Sequence, residues 1–165
     1  MKIIRDLETI FFENKITATI GGYDGIHIGH NRIISKVVQK AKENNSKSAL
    51  ITFKPLPKIF FARKNFELLT IYKKIEILKD LNVDYMILLR FNDSLISMSS
   101  KDFIEKILIK KLNISSLTVG HDFKFGKNQS GSVKDLQDYA HKGFFTLNVE
   151  EKHSIAGERI SSSSI

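Results

Sequence analysis

Between positions 21 and 30 the chain reads Gly21-Gly22-Tyr23-Asp24-Gly25-Ile26-His27-Ile28-Gly29-His30, glycines interleaved with one carboxylate and a pair of imidazoles. Glycine has no Cβ to hold a ligand off, so such a backbone can approach a nucleotide closely. A helix opening in this stretch would aim unsatisfied amides and a partial positive charge at the same ligand. His27 and His30, separated by Ile28-Gly29, would face it from the loop and the first helical turn and donate to phosphoryl oxygens. Donors placed in this way stabilise the charge that develops when a nucleophile displaces pyrophosphate from an α-phosphorus. The segment therefore reads as a phosphate cradle. A metal pair is the weaker reading of His-x-x-His, because the chain has no cysteine and no nearby histidine to complete a ligand set. A lone histidine would be a packed core residue and a lone glycine a turn, but the two imidazoles within a glycine loop argue together. The order ends in histidine instead of completing G-x-G-x-x-G, which excludes the usual NAD-type fingerprint.

The elements that must position this cradle follow from hydrophobic period. Ile16-Thr17-Ala18-Thr19-Ile20 alternates and is short, a strand that Gly21-Gly22 ends. From Asn31, the positions Ile33, Ile34, Val37, Val38 and Ala41 repeat at helical spacing, with Asn44-Asn45 as the stop. Ser48 to Phe53 makes a second strand running into Pro55 and Pro57, which no helix or strand interior accepts. Ile71, Ile75, Leu78 and Leu81 mark the next helix, and Tyr85 to Leu89 a buried strand. Ser99 with Asp102 forms a near capping box for a helix faced by Phe103, Ile104, Ile107, Leu108 and Leu112. Leu117-Thr118-Val119-Gly120 is a fourth strand, delivering the chain into the loop His121-Asp122-Phe123-Lys124-Phe125-Gly126. A short helix from about Val133 to His141 ends at Gly143, and Phe144 to Val149 gives the last strand. Alternating strands and helices imply a doubly wound α/β fold with a mostly parallel, Rossmann-like sheet of about five strands. Such sheets bind ligands at the carboxyl ends of their strands, where each unusual cluster of this sequence falls.

Composition sets the frame. At 165 residues with 42% hydrophobic residues, the chain is expected to be a single domain, 1–165, with a core that needs neither disulfide nor metal. Charged residues interrupt the N-terminal apolar positions, and no segment reaches membrane-spanning length, so the expectation is a soluble, cytoplasmic protein with no membrane partner. The net charge of +8 comes from lysines spread along the whole chain, with no Arg-rich arm. It suits phosphate-bearing ligands and does not by itself indicate a nucleic-acid partner.

The loops also carry a resemblance. Gly22 to His30 resembles the G-x-F-D-G-x-H-x-G-H signature of bacterial FAD synthetases, a branch of the HxGH nucleotidyltransferases. Thr52-Phe53-Lys54-Pro55-Leu56-Pro57 is similar to that family's T-F-x-P-H-P loop, and Val119 to Gly126 to its V-G-x-D-F-x-F-G loop. Gly131 stands where the family has a glycine, and Ile160 to Ile165 is similar to the I-S-S-T-x-I-R segment closing the adenylyltransferase domain. The resemblance implies transfer of AMP from ATP to FMN, giving FAD and pyrophosphate, with magnesium accompanying ATP. It implies that His27 and His30 are catalytic and that Gly22, Tyr23, Asp24, Gly29, Arg159, Ser161, Ser162 and Ser163 surround the nucleotide. Pro55, Pro57, Phe61, Asp122 and Phe123 would form the flavin side. No protein ligand to a metal is assigned. Leu56 replaces the histidine of the proline loop, and Tyr23 replaces phenylalanine. The sequence stops at Ile165, one residue before the family's arginine, and contains no P-T-A-N segment of the riboflavin kinase domain to which this module is normally linked. Another HxGH transferase, acting on pantetheine phosphate or nicotinate nucleotide, is the alternative enzyme, and a flavin- or nucleotide-binding module without turnover is the alternative of a different class.

Overall fold

Short runs of Ile, Val, Leu and Ala build the centre of the molecule, as expected of parallel strands covered on both faces. The computed structural model describes residues 1–5, 12–23, 28–54, 71–151, 153–155 and 158–160. Strands β1 (Lys2–Ile4), β2 (Ile16–Ile20), β3 (Lys47–Lys54), β4 (Tyr85–Arg90), β5 (Ile114–Gly120) and β6 (Thr146–Glu150) form one sheet in the order β1-β4-β3-β2-β5-β6. Every pairing in it is parallel. The expected fold class is therefore present, with one strand more than the hydrophobic pattern gives. The extra strand is β1, whose three residues are too few to show a period and are held by pairing with the edge of β4.

Helices lie on both faces. Helix α1 (Ile28–Glu43) and helix α2 (Ile71–Asp80) place Ile34, Val38 and Leu78 against Leu50, Met86 and Leu88 on one face. On the other, α3 (Asp93–Ile96) is followed by α4 (Ser100–Asp102), which continues as a π-helix over Phe103–Lys111. Phe103, Ile104 and Leu108 from that helix, with Leu136 of α5 (Val133–His141), pack on Ala18, Ile51, Ile87 and Leu117. The expected caps are formed: Ser99 Oγ accepts from Asp102 N at 3.1 Å. Ser132 and Asp135 make a full capping box at α5, and Gly143 beyond that helix has φ +90. α1 starts three residues earlier than its apolar stripe, because glycine and histidine carry no hydrophobic signal. A separate antiparallel pair, β7 (His153–Ile155) and β8 (Glu158–Ile160), follows β6. No helix among the described residues is long and apolar enough to cross a membrane.

Candidate active site

β2 is the strand at which the winding reverses. From β2 the chain passes through α1 to β3 on one side, whereas β5, reached after β4, pairs on β2's other side and the chain passes on through α5 to β6. The two directions of winding leave a crevice outside the carboxyl ends of β2 and β5, the place where open α/β sheets bind ligands. One wall is the turn after Ile20, and the other is the turn after Gly120.

On the first wall, Gly21 N donates to Ile51 O at 3.1 Å, extending the ladder one residue past β2. Thr52 Oγ1 donates to Gly22 O at 2.7 Å and fixes the next peptide. Tyr23 adopts φ +50, a left-handed conformation uncommon outside glycine, and folds its ring back into the core. A Cβ on Gly21 would lie 3.1 Å from that ring, so the glycine makes room for it. The Tyr23 hydroxyl shares a hydrogen bond with Thr19 Oγ1 inside β2. Burial pushes the phenol up to about 12, and the negative charge of Glu150 adds to this against the Thr19 bond, which pulls the other way. Gly29 and His30 lie in the first turn of α1, where amides have no helical acceptor and the helix dipole is positive. The imidazole of His30 is half-buried and meets the Tyr23 ring edge to face, centroids 4.8 Å apart and planes at 67°.

The second wall is built from the loop after β5. His121 N donates to Glu150 O at 3.0 Å, carrying the β5–β6 ladder past Gly120, and Phe123 N closes a turn on Gly120 O at 3.1 Å. Asp122 is exposed, and its Oδ1 lies 3.3 Å from where a Cβ on Gly120 would sit, so the carboxylate rests over the end of the strand. Phe123, half-buried, stacks on Phe125 with centroids 5.5 Å apart and planes at 19°. Phe125 packs in turn on Phe103 at 5.3 Å. Gly131 pairs with Phe125 through bonds of 2.8 and 3.2 Å, and a Cβ there would fall 2.6 Å from the Phe125 ring. The loop is thus an aromatic stack anchored in the core, with Phe123 at its outer end. Across the crevice Lys36 Nζ of α1 reaches Glu150 Oε1 of β6 at 3.4 Å, joining the two sides. Lys54 and Arg90 stand side by side in register, both exposed, at the carboxyl ends of β3 and β4.

Of the residues expected from sequence, Gly22, Tyr23, Gly29 and His30 come together on the first wall, and Asp122 and Phe123 on the second. Gly22 is exposed, while the Tyr23 ring is turned into the core. Arg159 lies in β8, paired with Ser154. Asp24, His27, Pro55, Pro57, Phe61, Ser161, Ser162 and Ser163 lie outside the described residues. Thr19, Lys36 and Glu150 were not singled out by the sequence, and Thr52 was quoted only as the start of the proline motif. For Thr19 the alternation in β2 gave no signal: Thr17 and Thr19 are 0% and 1% exposed in the fold, and it is that burial that makes the Thr19 hydroxyl need a partner. Lys36 and Glu150 are far apart in sequence and gave none. Among the described residues no group of three or more His, Asp or Glu side chains is placed to hold a metal ion.

Comparison with known proteins settles the family. The family model described as FAD synthetase matches residues 11–164. The chain belongs to the FAD synthetase family. Among curated relatives, the bifunctional riboflavin kinase/FMN adenylyltransferase of Buchnera aphidicola subsp. Schizaphis graminum is 35% identical over 150 residues, covering 89% of this chain and 48% of the relative. The protein of the same description from Haemophilus influenzae is 32% identical, covering 89% and 48%. That of Escherichia coli K12 is 28% identical, covering 100% and 54%. The chain thus spans about half the length of the curated relatives it matches. A crystal structure described as a macrolide-efflux protein from Streptococcus pneumoniae superposes with a TM-score of 0.82 at 22% identity, covering 99% of this chain and 55% of that one. At that identity the likeness establishes the fold alone. Gly22, Gly29 and His30 of the first motif lie on the first wall, and Asp122, Phe123 and Phe125 of the later motif lie on the second.

Proposed function

We propose that this chain transfers the AMP moiety of ATP to FMN, releasing pyrophosphate and forming FAD. The observation that carries the reading is the convergence of the two motif loops at the β2/β5 reversal, an anion-binding helix N-terminus on one side and a carboxylate with an aromatic stack on the other. ATP would lie along Gly22, Gly29 and the first turn of α1, with His30 and His27 donating to phosphoryl oxygens and the segment of Arg159, Ser161, Ser162 and Ser163 closing over the triphosphate. The flavin would lie toward Asp122, Phe123 and the loop of Pro55, Pro57 and Phe61, where an aromatic face stacks and a carboxylate accepts from ring N–H or ribityl hydroxyls. Magnesium would enter with ATP, bridging phosphate oxygens and offsetting their charge, with most of its ligands phosphate and water.

In the reaction an oxygen of the FMN phosphate attacks the α-phosphorus, a new P–O bond forms, and the bond to the bridging oxygen breaks, its electron pair leaving with pyrophosphate. The FMN phosphate is already an anion at neutral pH, so no side chain need remove a proton. Catalysis then consists of alignment and neutralisation of spreading charge. The kinase step named for the relatives is assigned to sequence beyond the matched half, and the location to the cytoplasm. The test is incubation with ATP, magnesium and either FMN or riboflavin, with the flavins resolved afterwards. FAD from FMN and no FMN from riboflavin is the expected result. Binding of both substrates without product would leave a binding module, and FMN from riboflavin would overturn the domain assignment.

A further inference from the structure

We propose that Tyr23 is a positioning residue, a latch in which the hydroxyl tied to Thr19 locks the phenol ring and the locked ring holds the imidazole of His30. The inference rests on the reading of His30 as a donor to phosphoryl oxygens. Its physical basis is independent of that reading. Tyr23 is the residue at which the chain leaves β2 for the crevice, and its φ of +50 is a conformation that must be held by surrounding structure. Three contacts hold it. Gly21, without a Cβ, admits the ring beneath the strand end. Thr52 Oγ1 fixes the preceding carbonyl at 2.7 Å. Thr19, 1% exposed, gives the hydroxyl a partner where water does not reach.

The consequence falls on His30. An imidazole in the first turn of a helix has more than one staggered side-chain position, and only one of them points at a given phosphoryl oxygen. The Tyr23 ring, 4.8 Å away and edge to face, occupies one side of it and selects among those positions. Where the FAD synthetase signature has phenylalanine, this chain has a ring that is tethered. The tether makes the site ready before ligand arrives, and pre-organisation of donors is what electrostatic catalysis requires.

The test compares Tyr23→Phe, Thr19→Val, the Thr19→Val/Tyr23→Phe double variant and Tyr23→Leu with the parent chain. Each single change leaves one buried hydroxyl-site partner altered, whereas the double variant removes both partners and regains parental stability, because no buried polar group is stranded. If Tyr23 is a latch, the double variant nevertheless keeps the turnover loss of the singles, about three- to tenfold in kcat with KM for ATP unchanged. The second readout needs no activity. The His30 ring signals in a carbon–proton NMR spectrum should be sharp and ring-shifted in the parent, broadened in Tyr23→Phe and Thr19→Val, and unshifted in Tyr23→Leu. Turnover that follows stability back to the parental value, or His30 signals that are alike in all variants, would overturn the latch and leave Tyr23 as core packing. A parent chain that makes no FAD would sink the proposed function alone, and the His30 spectra would still decide the latch.

Discussion

At the scale of single residues, the first wall sets two aromatic side chains against each other, His30 half-buried in the first turn of α1 and Tyr23 buried at the end of β2. His30→Ala removes the imidazole and its ring contact with Tyr23 while leaving the buried Ile34, Val37, Val38 and Ala41 of α1 untouched. FAD formation should fall by about tenfold or more, the scale of losing a charge-stabilising donor, with the far-ultraviolet dichroism unchanged. Equal rates in variant and parent would remove His30 from the mechanism. Tyr23 makes a different prediction, in alkali. Its folded phenol lies at about 12 against an unfolded value near 10, so below about pH 10 both states hold the proton and the stability is fully present. As pH rises toward 12 the unfolded chain ionises first, and stability is lost through that window, about 3 kcal/mol in all for a fully buried phenol. Tyr139 is also raised to about 12, chiefly because its hydroxyl donates to Glu105, so it titrates in the same window in any variant. The quantity to measure is therefore a difference. Tyr23→Phe should be less stable than the parent by about 1 kcal/mol near neutrality and more stable by about pH 12, read from urea unfolding of the two proteins side by side. A gap that does not change with pH would mean that the phenol is not buried as described.

At the scale of elements, the second wall depends on a glycine that has an ordinary backbone and an unusual neighbour. Gly131→Ala would drive a methyl to within 2.6 Å of the Phe125 ring, and the ring cannot retreat because Phe103 lies behind it. Overpacking of this kind costs about 1–3 kcal/mol, and it should also displace Phe123 at the outer end of the stack. Urea unfolding gives the first effect and FMN titration the second. Unchanged flavin affinity in a destabilised variant would detach the stack from the flavin. Elements of this kind were unevenly legible in the sequence. The apolar stretches of β3 and β4, the Ser99 cap and the stop at Gly143 are local signals, and each is found where the pattern puts it. β1 and α3 have three and four residues, too short for a period to show, and they exist because neighbours pair with or cap them. The winding of Phe103–Lys111 by i→i+5 bonds, as in Leu112 N to Ile107 O at 2.9 Å, left no trace in an apolar stripe that suits an α-helix equally well. The glycine loops were legible because glycine marks close approach, whereas the Lys36–Glu150 pair joins α1 to β6 through a fold that the pattern did not specify.

At the scale of the whole molecule, the site belongs to neither half of the sheet. β2 with α1 supplies the cradle, β5 with its loop supplies the stack, and the halves meet along the β2–β5 pairing. A ligand that touches both walls should therefore resist separation of the halves. FAD at about a hundred times its Kd is expected to raise the unfolding free energy by about 2.7 kcal/mol, measured as a shift in the urea midpoint. A midpoint indifferent to FAD would place the site elsewhere. The position of β1 has a consequence of another sort. Lys2 pairs with Tyr85, so β1 waits for its partner strand β4 until more than eighty further residues have been made. At about 5–20 residues per second that wait is roughly 4–17 s. The strands inside it, β2 and β3, can pair with each other much earlier, with β4 adding next. β1 is then the last piece of this half to be laid down, and the order of synthesis is not the order of assembly.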